Sequence, residues 1–413
     1  MWKNRYVRTI LLSRVLLQLG IWIRNFAILL YVTEWTNDDP VSVSLISVAE
    51  FAPIFLFALI GGTLADRWRP KRTMVWTDVL SMLSVMAVLI ALRDGGWIPL
   101  LVGSFVSASL SQLSQPSAMK LYKRHVPEEQ LQAVMAMSQS MVAFFTVLGP
   151  VVGAFVYMRF GIDASLVATA VLFFGSAVVL TMLPRDEMRD VAGAGWAGAG
   201  GGGGAAQVSF WEEMKAGMRY IAGNRALRTL SSTFAAAGLA AGLIQPLLIF
   251  IVMEKLGMDK PFVQWVLMVN GAAMLVGGGL IMGIAKKVRP QHLLAIGLLV
   301  SAGCTVAVGA SSWIWLSLTL QVISGLFYPC IQVGIQTLLF RNTEGAYIGR
   351  VSGAITPIFM GMMVLGMLAG GFLKDWLTLF PVYVMSGALL VIGALLLLPL
   401  LAEKPAARRE LGA

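Results

Sequence analysis

Arg24 and Asn25 interrupt an otherwise apolar run, LLQLGIWIRNFAILLYV over residues 16–32, and Glu50 interrupts a second, PVSVSLISVAEFAPIFLFALIGG over residues 40–62. A charge inside a membrane span costs ~2.5–3.5 kcal/mol on insertion scales and marks a functional site by default. Of the 21 acidic residues only Glu50 and Asp78 fall clearly inside such runs, and the two histidines, His125 and His292, sit near loops. A buried carboxylate beside a guanidinium can bind and release a proton. Arg24 and Glu50 each lie about ten residues from the outer end of their run, ~15 Å deep at 1.5 Å per residue. They are expected to meet near the middle of the bilayer, the arginine compensating the acid until a proton or a cationic ligand replaces it. A static ion pair that fixes helix register is the plainer alternative. Asp78 is only ~8 Å from the inner face by the same rise. It is placed either to pass a proton inward or to strengthen the neighbouring loop, and Arg14 is similarly shallow. No nucleotide loop, metal-ligand cluster or nucleophile–base pair occurs, so neither catalysis nor a cofactor or metal is expected. The expected energy source is a proton gradient.

The runs that carry these charges define the solvent. Hydrophobic residues make up 58% of the chain and charged ones 13%, with a mean hydropathy of +0.79, far outside the range of a water-soluble domain. Runs long enough to cross a bilayer recur near 7–33, 41–65, 73–93, 97–119, 131–158, 162–184, 226–253, 262–285, 291–311, 313–340, 349–373 and 378–401. Twelve spans put both termini on one side. By count 24 of the 31 Lys/Arg fall on that side, 5 on the other and 2 within a span, so both termini are expected to be cytoplasmic. The net charge of +10 is then mainly a topological signal, helped by anionic lipid, and nucleic-acid binding is not expected. The first span follows a short basic start and lacks a small-residue cleavage pattern, so it is expected to stay. Cys304 and Cys330 lie inside spans and are expected to pack rather than to form a disulfide framework.

A glycine-rich tract, DVAGAGWAGAGGGGGAAQ, and an amphipathic stretch near 210–222 separate the sixth and seventh spans. They suggest a first six-helix bundle over 1–184, a cytoplasmic linker with a surface helix over 185–225, a second bundle over 226–401 and a tail over 402–413. Sliding the sequence by 217 residues places Gly61 and Gly62 on Gly278 and Gly279, Arg72 on Arg289 and Gln115 on Gln332. It also places Val134 on Val351, Gly149 on Gly366 and Gly153 on Gly370. An all-α membrane protein of two parallel six-helix repeats follows, the organisation of a secondary transporter with its site between the halves.

Two motifs carry a family resemblance. GGTLADRWRPKRTM, residues 61–74, resembles the cytoplasmic loop motif of the major facilitator superfamily, with Gly62, Asp66, Arg67, Lys71 and Arg72 in its positions and Arg69 and Pro70 departing from it. The resemblance implies a latch that ties the halves together when the protein is open to the outside. VLGPVVGAFVYM, residues 147–158, resembles the antiporter motif of the exporters in that superfamily, through Gly149, Pro150 and Gly153; Ala154 stands where a further glycine is common. The first helix, GIWIRNFAILLYV, looks like the macrolide-efflux branch of the drug:proton antiporters. Family geometry implies that the first, fourth, seventh and tenth helices line a cavity, offering Gln18, Trp22, Phe26, Gln112, Gln115, Phe234, Gln245, Phe327, Tyr328, Gln332 and Gln336. Aromatics with scattered amides suit an amphipathic, mainly apolar ligand.

The expected protein is therefore a monomeric, multi-pass transporter of the cell (inner or plasma) membrane. It exports hydrophobic or amphipathic drugs in exchange for protons by alternating access, within membrane lipid. A lipid or lysophospholipid translocase of the same fold is the alternative.

Overall fold

The computed structural model describes residues 4–67, 69–183, 210–284, 287–344 and 347–402. Among them there is no strand. The first bundle comprises α1 (Arg5–Trp35), α2 (Pro40–Arg67), α3 (Pro70–Ala91), α4 (Ile98–His125) and α5 (Glu128–Thr181). The connector helix is α6 (Phe210–Gly223). The second bundle comprises α7 (Arg225–Ile244), a short α8 (Leu248–Phe250) running into a π-helical turn, α9 (Val263–Ile284), α10 (Pro290–Ala310), α11 (Ile314–Arg341), α12 (Ile348–Leu377), α13 (Leu379–Leu396) and α14 (Leu398–Ala402). Ten helices of the described chain are long and apolar enough to cross a membrane, α5 counted once. The chain is an integral membrane protein. α5 turns at Gly161, whose φ of 77° is open to glycine at no steric cost, and so forms two legs. The serine-rich α4, 28 residues long, completes the first bundle. The glycine-rich tract lies outside the described residues, whereas the amphipathic stretch at 210–222 is helical as expected.

Ends are fixed by the residues that can fix them. Asn4 caps α1 by accepting from the Tyr6 N–H at 2.9 Å, and Asn224 caps α7 by accepting from the Ala226 N–H at 2.9 Å. Proline opens α2, α3 and α10, where its missing N–H has no helical partner to lose.

Within each bundle the small residues set how closely the helices approach. Gly149 and Gly153 seat α1 on α5, and Gly366 and Gly370 seat α7 on α12 against the Leu239 and Leu243 carbonyls. These are equivalent positions in the 217-residue repeat, so the two halves use one seam twice. α6 belongs to the second bundle: Tyr220 stacks on Tyr347 at 4.4 Å, and Gly217 abuts the Arg350 carbonyl.

The bundles meet mainly over their outer halves, the end remote from residue 4, and α2 also touches the connector helix α6. α2 packs against α12 and α5 against α9. Gly371 lies against Ser44 and the Pro40 carbonyl at the outer end of α2, and Gly361 lies against Phe55 near its middle. Gly271 of α9 approaches the Thr146 carbonyl of α5. Lys260 crosses from the second bundle to Asp38 at 2.5 Å, and Asp38 is presented by a turn in which Asn37 and Asp38 have φ of 51° and 66°. A Cβ at Gly371 would stand 2.6 Å from Ser44 Oγ and 2.8 Å from the Pro40 carbonyl oxygen, and backbone cannot yield as a side chain can. Gly371→Val is therefore expected to hold the outer ends apart: an outer-face cysteine reporter at Ser44 should become at least about tenfold more reactive to an impermeant thiol reagent. Unchanged labelling would show that this seam does not close the end remote from residue 4.

Candidate functional site

Arg24 lies within α1 and is 3% exposed. An arginine at that depth must have its donors satisfied. Its Nε and Nη2 donate to Asn25 Oδ1 at 3.0 and 2.8 Å, and its Nη1 donates to Ser107 Oγ on α4. The adjacent amide and a hydroxyl from the next helix thus take the place of a carboxylate. Glu50 is half-buried on α2. It is near enough for the two charges to interact, yet the pair forms no direct ion pair; the ion pairs of the described residues lie elsewhere. Glu50 also accepts no hydrogen bond from a described side chain. The expected contact is replaced by a longer-range field because Asn25 and Ser107 reach the guanidinium first.

Asp78 and Arg14 form a second cluster. Asp78 is 2% exposed and accepts from Ser176 Oγ at 2.6 Å; Ser176 Oγ lies 2.8 Å from Ser13 Oγ. Arg14 donates to the Ser114 carbonyl at 3.0 Å and feels the charge of Asp78. The network ties α1, α3, α4 and the second leg of α5 inside the first bundle. Arg14 and Arg24 are ten residues apart on one helix, ~15 Å along its axis, so the two clusters occupy different levels of the membrane. Sequence reasoning missed the serines that complete both clusters. The signal was small hydroxyls within otherwise apolar helices, which is also how ordinary helix packing looks.

Of the loop motif, the side chains of Gly62, Asp66 and Arg67 lie outside the described residues. Lys71 donates to the Thr181 carbonyl at 3.0 Å and to the Leu183 carbonyl, joining α3 to the end of α5 within one bundle, and Arg72 is exposed. The antiporter-like residues Gly149, Pro150 and Gly153 are buried. The Trp22 ring rests on Gly149, while the Trp22 carbonyl and Phe26 Cβ would lie 2.6 and 2.8 Å from a Cβ at Gly153. Trp22 and Phe26 therefore stand in the α1–α5 seam.

The remaining cavity candidates are spread. Gln18 and Gln112 are half-buried, Gln115, Gln332 and Gln336 are exposed, and Gln245 is exposed just past the end of α7. Phe234 stacks at a tilt on Phe359, centroids 4.9 Å apart. Phe327 packs beside Cys330, and Tyr328 is 39% exposed. Also unforeseen was a polar clasp in the second bundle, where Asn270 on α9 donates to the Gln321 carbonyl and side chain on α11 at 3.0 and 3.1 Å.

Two copies of one family description cover this chain: the Major Facilitator Superfamily model matches residues 10–237 and again 230–413. The chain belongs to the Major Facilitator Superfamily. Among curated relatives, an uncharacterised transporter of the superfamily from Bacillus subtilis, YfiS, is 24% identical, with 94% of this chain and 92% of that protein covered. Macrolide efflux protein A of Streptococcus pyogenes is also 24% identical, with 89% of each chain covered. Solved structures share the fold. A POT family transporter in complex with 5-aminolevulinic acid superposes with a TM-score of 0.75 at 12% identity over 97% of each chain. A bacterial homologue of the lysosomal transporter Spinster gives 0.70 at 14% identity over 95% of this chain and 96% of that one. This major facilitator is thus a transporter by family.

The seam gives a direct test. Gly149→Ala pushes a methyl group into the Trp22 ring and is expected to destabilise the protein by ~1–3 kcal/mol, read as a lower melting temperature in detergent. Trp22→Ala in the same chain should restore part of the loss. Additive destabilisation by the two substitutions would mean that they do not share a contact.

Proposed function

We propose that the protein is a proton-coupled exporter of hydrophobic or amphipathic drugs, with Glu50 as the group for which proton and cargo compete. The observation that carries this reading is the state of the Glu50 carboxylate: it sits deep in a membrane helix, half-buried, without a hydrogen bond or ion pair among the described residues, while the nearby Arg24 is satisfied by Asn25 and Ser107. A partnerless carboxylate at that depth is costly, and a proton or a cationic group offsets the cost. A ligand changes a conformational balance only by binding one state better than the other. Glu50 meets that condition, because α2 forms part of the contact between the bundles and its surroundings differ when that contact opens. Asp78, enclosed by Ser176, Ser13 and Arg14, has its partners already and lies away from the second bundle. The relatives that include macrolide efflux proteins support the direction and the class of cargo. The intended setting is the cell membrane, with both termini in the cytoplasm.

In proteoliposomes with an imposed proton gradient, a panel of lipophilic drugs is expected to elicit proton flux through the wild type. Glu50→Gln, at matched protein content, should lower that flux at least about tenfold while retaining ligand binding. Wild-type turnover by Glu50→Gln removes Glu50 from the coupling. Flux elicited by lysophospholipids alone makes the protein a lipid translocase instead.

A further inference from the structure

Halfway along α4 and α11 the exposed residues move to the opposite side of the helix, at Gln115 and at Tyr328, and towards the inner end they wind back, Lys123 and Phe340 lying about seven turns from Ile98 and Trp315 on the same side. On α11 the outer exposed residues are Trp315, Leu316 and Thr319, and the inner ones are Tyr328, Gln332, Gln336 and Phe340. Nine residues separate Thr319 from Tyr328, two and a half turns at 3.6 residues per turn, so the two point to opposite sides of the helix. On α4 the outer exposed residues are Ile98, Val102, Phe105 and Val106, and the inner ones are Gln115, Met119, Lys123 and Arg124. Nine residues again separate Val106 from Gln115. The chemistry changes with the side. The outer faces are apolar, and where they carry a hydroxyl it is returned to the helix: Thr319 Oγ1 donates to the Trp315 carbonyl at 2.7 Å. The inner faces carry amides and a phenol with no such return to the backbone. An unsatisfied amide is costly in hydrocarbon, so the outer faces meet lipid and the inner faces meet water. Because the bundles are joined over their outer halves, that water fills a cleft between them that opens at the inner end. Gln115 and Gln332 are equivalent in the 217-residue repeat and stand on its two walls.

The two glutamines are not alike. Gln332 Nε2 donates to Tyr328 Oη at 2.9 Å. Its amide is thereby held, with Oε1 left as an acceptor and the tyrosine hydroxyl hydrogen left as a donor beside it. At the position equivalent to Tyr328, α4 has Ser111, whose hydroxyl is turned back to the Ser107 carbonyl at 3.0 Å, so Gln115 is not held in this way. An acceptor and a donor side by side match a hydroxyl group, which both donates and accepts. A carboxylate only accepts and an ammonium only donates.

We propose that Gln332, oriented by Tyr328, is a binding post for hydroxyl groups of the cargo, that Gln115 is its adaptable counterpart across the cleft, and that the cargo is an apolar frame bearing hydroxyls. This rests on the transport reading above and narrows its cargo. The exposed Met119, one turn from Gln115, supplies apolar contact for the frame.

Two measurements test it. The first uses equilibrium binding to the purified full-length protein without a gradient, with a lipophilic tertiary amine bearing a vicinal diol and its deoxy counterpart as probes. The wild type should bind the diol compound roughly tenfold more tightly, Gln332→Leu should remove that preference, and Tyr328→Phe, which keeps the ring, should reduce it several-fold. Equal binding of the two probes by the wild type, or equal loss of both in Gln332→Leu, overturns the proposal. Loss of proton coupling in Glu50→Gln with the diol preference intact separates this reading from the coupling one. The second measurement places single cysteines at Gln332 and at Thr319 in a Cys304→Ala, Cys330→Ala background. A charged thiol reagent should label the cysteine at 332 at least tenfold faster than that at 319; the reverse order puts Gln332 in lipid and ends the proposal.

Discussion

Hydrocarbon offers no hydrogen bonds, and that single fact arranges the polar groups of this protein. Every buried charge within the described helices is met by donors or acceptors from its own or a neighbouring helix: Arg24 by Asn25 and Ser107, Arg14 by the Ser114 carbonyl, Asp78 by Ser176. Hydroxyls on lipid-facing surfaces return to their own backbone, as Thr319 does. Among the described residues a few buried hydroxyls, those of Ser104, Ser114, Tyr122, Ser231 and Ser317 among them, have no hydrogen-bond partner. Glu50 and the Gln115 amide also lack a hydrogen-bond partner among the described residues, but both are partly open, and that combination is the reason to read them as working groups.

Close packing is achieved with glycine because nothing larger fits where two helices cross. The seam built on Gly149 and Gly153 in one bundle recurs on Gly366 and Gly370 in the other. A third set, Gly271, Gly361 and Gly371, lies where the bundles meet. The first two sets hold each bundle together as a body; the third permits the bodies to touch over their outer halves. Lys260 and Asp38 add a charge pair at the rim of that contact, where water screens it and its contribution is modest.

Much of this was legible in the chain. Hydropathy gave the membrane class and the 217-residue repeat gave the two bundles, because each depends on sequence pattern alone. The amphipathic stretch at 210–222 likewise declared its helix. The partners of Arg24 were not legible: the sequence displays one acid at matching depth, Glu50, whereas the choice of Ser107 depends on the rotation of α1 against α4. Asp38 and Lys260 meet across 222 positions, a pairing that no spacing rule reaches. The switch of exposed face on α4 and α11 was hidden as well, since it depends on which halves of the bundles touch. Trp22 and Phe26, aromatic and on the first helix, read equally well as cavity wall or as packing, and the position of Gly149 and Gly153 is what places them in the seam.

The buried charges of the described helices, Arg14, Arg24 and Asp78, all belong to the first bundle, and the half-buried Glu50 joins them there. The membrane-embedded parts of α9 through α13 contain no comparable ionised group. Such a division lets the second bundle change its amides and aromatics over evolutionary time without disturbing the electrostatic balance of the first. A side-chain change on the walls of the second bundle therefore leaves the charges enclosed in the first untouched.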